Sequence, residues 1–500
     1  MLHLFFSNRF TTLEAALLRD IAQAPGSAGE SENPFETETI VVPSVAVRRR
    51  LELDYADVFG VCANVRLTYL AQWLWDMAGK LLTVPESSPF APDRLVWPLY
   101  QCLAQPWVET SPRLSGYLSG ADDVMRFELA DRLAHIYDQY LTYRPNWLER
   151  WQSGEVIEPG AAAGWGEVQR DDEAWQSALW RQVLAHLEIR ERHPTLRAID
   201  RIEQLTPETV PAGWPSRVSV FALSSMPPLS MALLKAMSRL IDVHLYVLNP
   251  CESYWFDIVP PSRLSYLTRR DGVAHREVGH PLLAEWGRQT QSHIDALYAD
   301  LAPQAVEDRA LFQPNPAPTL LAALQNGILT LDDGRHGAPD GVGADGSVQV
   351  HVCHSLARQI EVLHDRLLAC FDEIPDLRPD DVLITVPDLG RAAPLIDAVF
   401  GTATPRIPYL VTGLPPTRTN PVARAFAAIL ALPQQRVAAS SLVELARTEA
   451  IAQRYDLGGN VLDAIQNWLH AAGARRGWRG DALLRLDAPR TPTAPAAVAG

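Results

Sequence analysis

Four short apolar runs decide what this chain can fold into: LHLFF at residues 2–6, TIVV at 39–42, RVSVFAL at 217–223 and VHLYVLN at 243–249. Each reads as a short buried strand bounded by turn-forming residues. The first three are each followed by a loop and an amphipathic helical pattern. The first helix is expected over Leu13–Ala22, capped by Thr11 or Thr12 with Glu14 in its first turn. The second opens at Pro43-Ser44 and runs through Val47, Leu51 and Tyr55, and the third spans Leu229–Ile241. Strand, loop and helix repeated from the first residue is how a nucleotide-binding α/β domain begins, and the fold class is α/β.

The loops between these elements argue against nucleotide chemistry. A P-loop needs G-x-x-x-x-G-K-[ST], because backbone amides cradle the phosphates while a lysine reaches the terminal one. The first loop is SNRFTT, with no glycine and no lysine. Gly79-Lys80 is no displaced copy, since no glycine stands five positions before Gly79 and Leu81 follows. Acids that would hold magnesium at the end of the RVSVFAL strand are replaced by Leu223, Ser224 and Ser225. ATP hydrolysis by this chain is not expected, nor any cofactor or metal of its own.

Between the two α/β blocks, residues 91–201 are mostly helical by pattern, including Met125–Tyr143 and Glu173–Leu187, with a small-residue loop at Gly160–Gly166. Within this region lies IYDQYLTYRPNWLERW, residues 136–151, which gathers Tyr137, Tyr140, Tyr143, Trp147 and Trp151 beside Asp138, Gln139, Arg144 and Arg150. Pro145 should stop the helix at Arg144. Such a face can stack unpaired bases and hydrogen-bond their edges. It can equally be a core whose polar side is solvated, and spacing alone favours that reading.

Beyond Pro250, Trp255 and Phe256 are expected to be buried cover, Ala302–Pro318 a loop and Asp332–Gly346 a Gly/Asp/Pro-rich linker. VQVHVC and VLITV (Val382–Val386) read as strands of a third α/β unit. Ser355 caps a helix that carries Leu356, Ile360, Leu363, Leu367 and Phe371 on one face, and Ala392–Phe400 forms another. Pro421–Leu432 and Ser441–Leu469 read as helices of an appended region, and after about Gly473 the pattern fails in a disordered or truncated tail.

A chain of 500 residues is expected to hold about three or four domains. No run of about 18 apolar residues appears, so no membrane span is expected, and MLHLFFSNRF has no basic n-region or cleavage site. A cytoplasmic location follows. Cys62, Cys102, Cys251, Cys353 and Cys370 lie far apart and form no CxxC, which fits a reducing compartment. HVCH at 351–354 resembles half of a metal site, but the alternation of VQVHVC makes one of its two histidines merely exposed and no second ligand pair stands nearby, so metal binding is not expected there. A net charge of −15 argues against a free-standing DNA clamp but leaves room for a local basic groove or a shared DNA path. Lys80 and Lys235 are the only lysines, so nearly all positive charge is arginine, the better residue for bidentate and stacking contacts.

LHLFFSNR, FGVCANV, LWDM, YDQYLTYRPNWL, PSRV with SSMPP, HPLLAEWG and VHVCHSLARQIEVLHDRLL with AVFG together resemble the RecC family, the gamma subunits of exodeoxyribonuclease V, over about residues 1–472. The family is about twice this length, so further helicase-like parts and a nuclease-like domain have no counterpart here. The resemblance implies degenerate superfamily 1 helicase-like domains, with parallel sheets flanked by helices and a large helical insert. It places an inactive domain 1A at 1–80 plus 205–330, the insert at 81–204, a linker at 331–347, the start of domain 2A at 348–435, and a helical region with the tail at 436–500. It implies a non-catalytic subunit that bridges a RecB-like helicase/nuclease and a RecD-like helicase, splits forked DNA, channels the single strands and scans for the hotspot Chi. ATP and magnesium would be used by the partners. Trp75 in LWDM, and Asp138, Gln139 and Arg144 in YDQYLTYR, match family DNA-contact positions. Pro43, Val45 and Arg49 stand where well-known members carry two amides and a hydroxyl, and Tyr69 and His135 replace a leucine and an aspartate. These departures remove base-edge hydrogen bonds, so a tunnel touching strand and backbone through Trp75, Asp138, Gln139, Arg144, Tyr69 and Arg49 is expected to outlast reading of the standard Chi sequence. The competing readings are an independently active helicase or nuclease, which needs the missing Walker lysine and acid cluster, and a fragment without function.

Overall fold

Leu4 and Phe6 point to one side of the first strand and Phe5 to the other, and all three are buried. A strand covered on both faces belongs inside a parallel α/β sheet, and that is the fold. The computed structural model describes residues 1–23, 37–85, 88–158, 160, 162, 164–259, 279–301, 307–332, 345–414, 420–434 and 437–475. The chain divides into two compact units, Met1–Val348 and Gln349–Gly500.

In the first unit, β1 (Leu2–Ser7), β2 (Glu38–Val41), β3 (Val65–Thr68), β4 (Arg217–Phe221), β5 (Asp242–Leu248) and β6 (Glu307–Ala310) form one sheet in the order β3-β2-β4-β5-β1-β6. Every pairing is parallel. Leu4 sits opposite Leu245, and Val41 opposite Val220. One face joins Leu2, Leu4, Phe6, Val218, Val243 and Leu245 to Trp73 and Met77 of α3 (Leu70–Leu81) and to helices 194–203, 228–237 and 288–300. The other joins Phe5, Ile40, Phe221 and Tyr246 to Leu13, Leu17 and Ile21 of α1 (Phe10–Ala22) and to Leu51 of α2 (Val45–Phe59). Each fully buried Leu or Phe contributes roughly 1.5–3 kcal/mol.

Local chemistry sets the ends. Ser44 accepts from the Val47 amide at 3.3 Å and starts α2, and Gly60, at φ +80°, ends it. Helix α1 begins at Phe10, so Thr11 and Thr12 lie inside its first turn and neither caps it. The Ser7 hydroxyl holds the turn instead, accepting from the Arg9 amide at 3.1 Å.

The insert between β3 and β4 has its own core. Its helices are α4 (Pro92–Cys102), α5 (Pro112–Leu118), α6 (Asp123–Tyr143), α7 (Pro145–Gln152), α8 (Glu167–His186) and α9 (Pro194–Glu203). Leu95, Leu99, Leu133, Tyr137, Trp151 and Trp180 meet there. Pro145 stops α6 as expected, and Arg144 caps both α6 and α7.

EDRA at 307–310 is an edge strand where the sequence reads as loop, and VRLT at 65–68, which the sequence pattern leaves unassigned, is another. Trp255 is buried and Phe256 half-buried, as expected.

The second unit contains α-helices at Leu356–Glu373, Leu389–Phe400, Pro421–Ala431, Ala439–Ala446, Glu449–Arg454 and Gly459–Ala471. Ser355 caps the first, accepting from the Arg358 amide at 3.2 Å. The expected strands VQVHVC and VLITV form no sheet among the described residues. The alternation is present in the chain, but a strand is defined by its neighbour. Most of the 332–346 linker, the loop at 24–36, parts of 160–166 and the tail after 475 lie outside the described residues.

Candidate nucleic-acid interface

Ligands of parallel α/β sheets gather outside the carboxyl ends of the strands. At the end of β1 this chain places its own polypeptide. Ser7 Oγ donates to Leu311 O at 2.9 Å, Asn8 Nδ2 to Gln313 O at 2.9 Å and Arg9 to Pro314 O at 2.8 Å. The Gln313 amide donates back to Asn8 Oδ1 at 3.0 Å. A loop without glycine or lysine, engaged this way by residues 311–314, does not fit a triphosphate. After β4, Ala222 (φ +50°) leads into Leu223 and Ser224, which offer no carboxylate to a magnesium ion. Nothing local in the sequence marked residues 311–314 for this role, since about three hundred residues separate them from the loop they bind.

At the ends of β2 and β3 the surface is cationic and aromatic. Pro43, Ser44 and Val45 are exposed, followed by Arg48 and Arg49 on the first turns of α2. Arg49 makes a loose pair with Glu52 at 3.6 Å, and its side chain remains 67% exposed, which leaves it able to reach a phosphate. The Arg48 guanidinium is pushed up chiefly by Glu52, with Tyr69 adding to the effect. Tyr69 is half-buried and caps α3. Trp75, on the same helix, is half-buried, and its indole Nε1 donates to Pro85 O at 3.2 Å.

The aromatic stretch of the insert divides between the two readings. Tyr137 and Trp151 are core, with the Tyr137 hydroxyl donating to Gln176 O at 2.8 Å. Tyr140 reaches Gln176 Oε1 at 3.0 Å, and Trp151 Nε1 reaches Glu173 Oε1 at 3.1 Å. Arg150 is engaged by Val156 O, Glu155 and Glu158. What faces solvent is Gln139, Tyr143 and Arg144. Arg144 lies 6.0 Å from the Trp147 ring centroid and donates to Tyr143 O at 2.9 Å. Asp138 is half-buried, and burial pushes its carboxyl up while His135 pulls it down. His135 is exposed, its Nδ1 2.9 Å from Asp131 O.

Thus Arg49 and Tyr69 follow two paired strands, Trp75 sits six residues beyond Tyr69 on α3, and Asp138, Gln139 and Arg144 share one helix end in the insert. No side-chain hydrogen bond joins the two sets among the described residues.

Residues 2–331 match the model of the RecC N-terminal domain. The chain belongs to the RecC family. Residues 419–494 also match the fourth domain of RecBCD enzyme subunit RecC. The Escherichia coli K12 RecBCD enzyme subunit RecC is 32% identical over 98% of this chain and 46% of its own length. The RecC proteins of Haemophilus influenzae and Mycolicibacterium smegmatis are 27% and 30% identical, each over 89% of this chain and over 44% and 41% of their own lengths. The chain therefore spans about half the length of the RecC relatives it matches. The match covers both sets of candidate contact residues, on the sheet edge and on the insert.

Proposed function

We propose that this chain is a non-catalytic, DNA-handling scaffold subunit of a RecBCD-type helicase/nuclease that processes double-strand DNA ends for recombinational repair. The observation that carries the reading is the continuous RecC match over residues 2–331. The bonding of Ser7, Asn8 and Arg9 to residues 311–314 supports it, because the loop that serves a triphosphate in an active motor is here an internal contact. The sheet with its helical insert is a degenerate helicase-like domain. Catalysis belongs to a RecB-like helicase/nuclease and a RecD-like helicase, which use ATP and magnesium in the cytoplasm.

In this reading Arg49 and Arg144 neutralise phosphates, Trp75 and Tyr69 line the path of a single strand, and Gln139 and Asp138 meet base edges. Arginine suits the task, since its planar guanidinium both pairs with phosphate and stacks. Loss of the amides at positions 43 and 49 and of the hydroxyl at position 45 makes backbone tracking the dominant mode and leaves a Chi-like sequence to the insert residues.

The test is retention of the purified chain by the RecB-like subunit of the same genome, with and without forked DNA. Salt-resistant retention, unwinding by the assembled complex and no ATP turnover by the chain alone are expected. ATP turnover by the isolated chain, or no retention from a folded sample, would sink the proposal.

A further inference from the structure

Helices α1 and α2 pack on the same face of the sheet, and a groove of about 440 Å³ opens between them. That volume is the size of a small-molecule site. Ala15, Leu18 and Ala22 of α1 and Val58 of α2 give it an apolar wall. Glu14, Asp54 and Asp57 give it three carboxyls. The lining holds one guanidinium against them, Arg19, five residues along α1 from Glu14.

Glu14 is the member that points to a ligand. It is only 6% exposed although it lines the groove, and its Oε1 has no hydrogen-bond partner. Buried carboxylate oxygens are as a rule hydrogen-bonded. Arg50 approaches Oε1 at 3.6 Å, too far for a hydrogen bond, and makes its closer pair with Asp54 one turn along α2. One guanidinium thus serves two carboxyls. Burial and the Asp54 carboxyl raise Glu14 to about 8, so a proton supplies the missing positive charge at neutral pH.

The wall decides which cation can replace that proton. Magnesium keeps several waters and demands oxygen ligands in octahedral array, whereas much of this lining is hydrocarbon. Among the described residues no group of three histidine, cysteine or acidic side chains is placed to hold a metal ion. An ammonium on a carbon chain suits both parts, with three donors for the carboxyls and a stem for the apolar wall.

We propose that this groove binds an alkylammonium ion, its charged end among Glu14, Asp54 and Asp57 and its stem along Ala15, Leu18 and Val58. The ligand enters with its charge, Glu14 ionises, and the Glu14 proton leaves to solvent. None of the candidate DNA contacts lines the groove, so the site stands or falls apart from the subunit reading.

Calorimetric titration of the full chain with n-pentylammonium near neutral pH tests this, in two buffers of different ionisation enthalpy. Saturable binding with release of about one proton per site is expected. Glu14→Gln should abolish the proton release and weaken binding by about tenfold or more. Asp57→Asn, at an exposed position, should weaken binding by about threefold and keep the proton release. Methylammonium, which lacks the stem, should bind about tenfold more weakly than pentylammonium. Nα-acetyl-lysine amide separates the sources: tighter binding than pentylammonium assigns the site to a polypeptide lysine, weaker binding to a free amine, and either upholds it. No saturable binding at millimolar concentration, proton release that survives Glu14→Gln, or magnesium binding as well as pentylammonium would each overturn the proposal.

Discussion

Asn8 and Gln313 bond each other in both directions, the Asn8 amide donating to Gln313 O at 2.9 Å and the Gln313 amide donating to Asn8 Oδ1 at 3.0 Å. This reciprocal pair ties the end of the first strand to the segment following the last one. Asn8→Ala removes both bonds and leaves two backbone groups to be satisfied by water. A loss of about 1–2 kcal/mol is expected, read as a lower urea midpoint with an unchanged m-value. If the variant is as stable as the parent, the pair is incidental.

Glu173 links three parts of the insert. It lies buried on α8 and accepts from Trp151 Nε1 at 3.1 Å and from the Ile157 amide at 2.6 Å. Glu173→Ala strands both donors in the core. Destabilisation of about 2–4 kcal/mol is expected, and Glu173→Gln, which keeps an acceptor, should cost clearly less. Urea unfolding followed by tryptophan fluorescence reports on both, because Trp151 itself senses the change.

Acid should weaken the fold through histidines. Burial pushes His193, His244 and His293 each down to about 4. The folded protein keeps them neutral, while the unfolded chain takes up protons near pH 6.5. As pH falls from about 6.5 towards 4 the unfolded state binds more protons, so stability declines over that window and levels off below it. Melting curves across this range that stay flat would contradict the assignment.

Glu14 works in the opposite sense. Burial and the neighbouring Asp54 carboxyl push it up to about 8, against the pull of Arg50. The folded state then holds a proton that the unfolded state releases near pH 4.5. Stability is therefore lost as pH rises from about 4.5 to 8. Glu14→Gln should raise the melting midpoint above pH 8 relative to the parent and do little below pH 4.5. An equal shift at both ends would mean that the substitution acts through packing.

For DNA, the exposed residues make the cleaner variants. Arg49→Ala and Arg144→Ala should leave stability within about 0.5 kcal/mol and weaken binding of single-stranded DNA by the assembled complex. Each is expected to lower the salt slope by about one if it meets a phosphate. Gln139→Ala should change sequence preference more than affinity. Unaltered slopes for both arginines would remove them from the DNA path. Trp75→Ala is less diagnostic, since its indole also holds Pro85 O.

The central strands were readable because LHLFF, TIVV, RVSVFAL and VHLYVLN carry their burial in their own composition. Residues 65–68 and 307–310 were not, being four-residue, partly charged edges that are strands only through β2 and β1. The opposite error occurred at 348–353 and 382–386, where the pattern of a strand stands without a neighbour. In the candidate site, the position of Pro145 and the aromatic face were visible, but which aromatics are core was decided by Gln176 and Glu173, some twenty to forty residues away. Neither Thr11 nor Thr12 caps the first helix because it starts at Phe10, after a two-residue turn held by Ser7 that periodicity does not register.

The position of β1 between β5 and β6 governs how the molecule is made. The residues of β1 lie inside the finished sheet, one strand from its edge, yet their hydrogen-bonding partners begin some 240 residues later. At synthesis rates of roughly 5–20 residues per second, LHLFF waits on the order of 12–48 s with its apolar side chains unsheltered. Native pairing of this segment is thus a late event in biosynthesis, and slowing translation ahead of residue 242 should lower the soluble yield more than slowing it after residue 310.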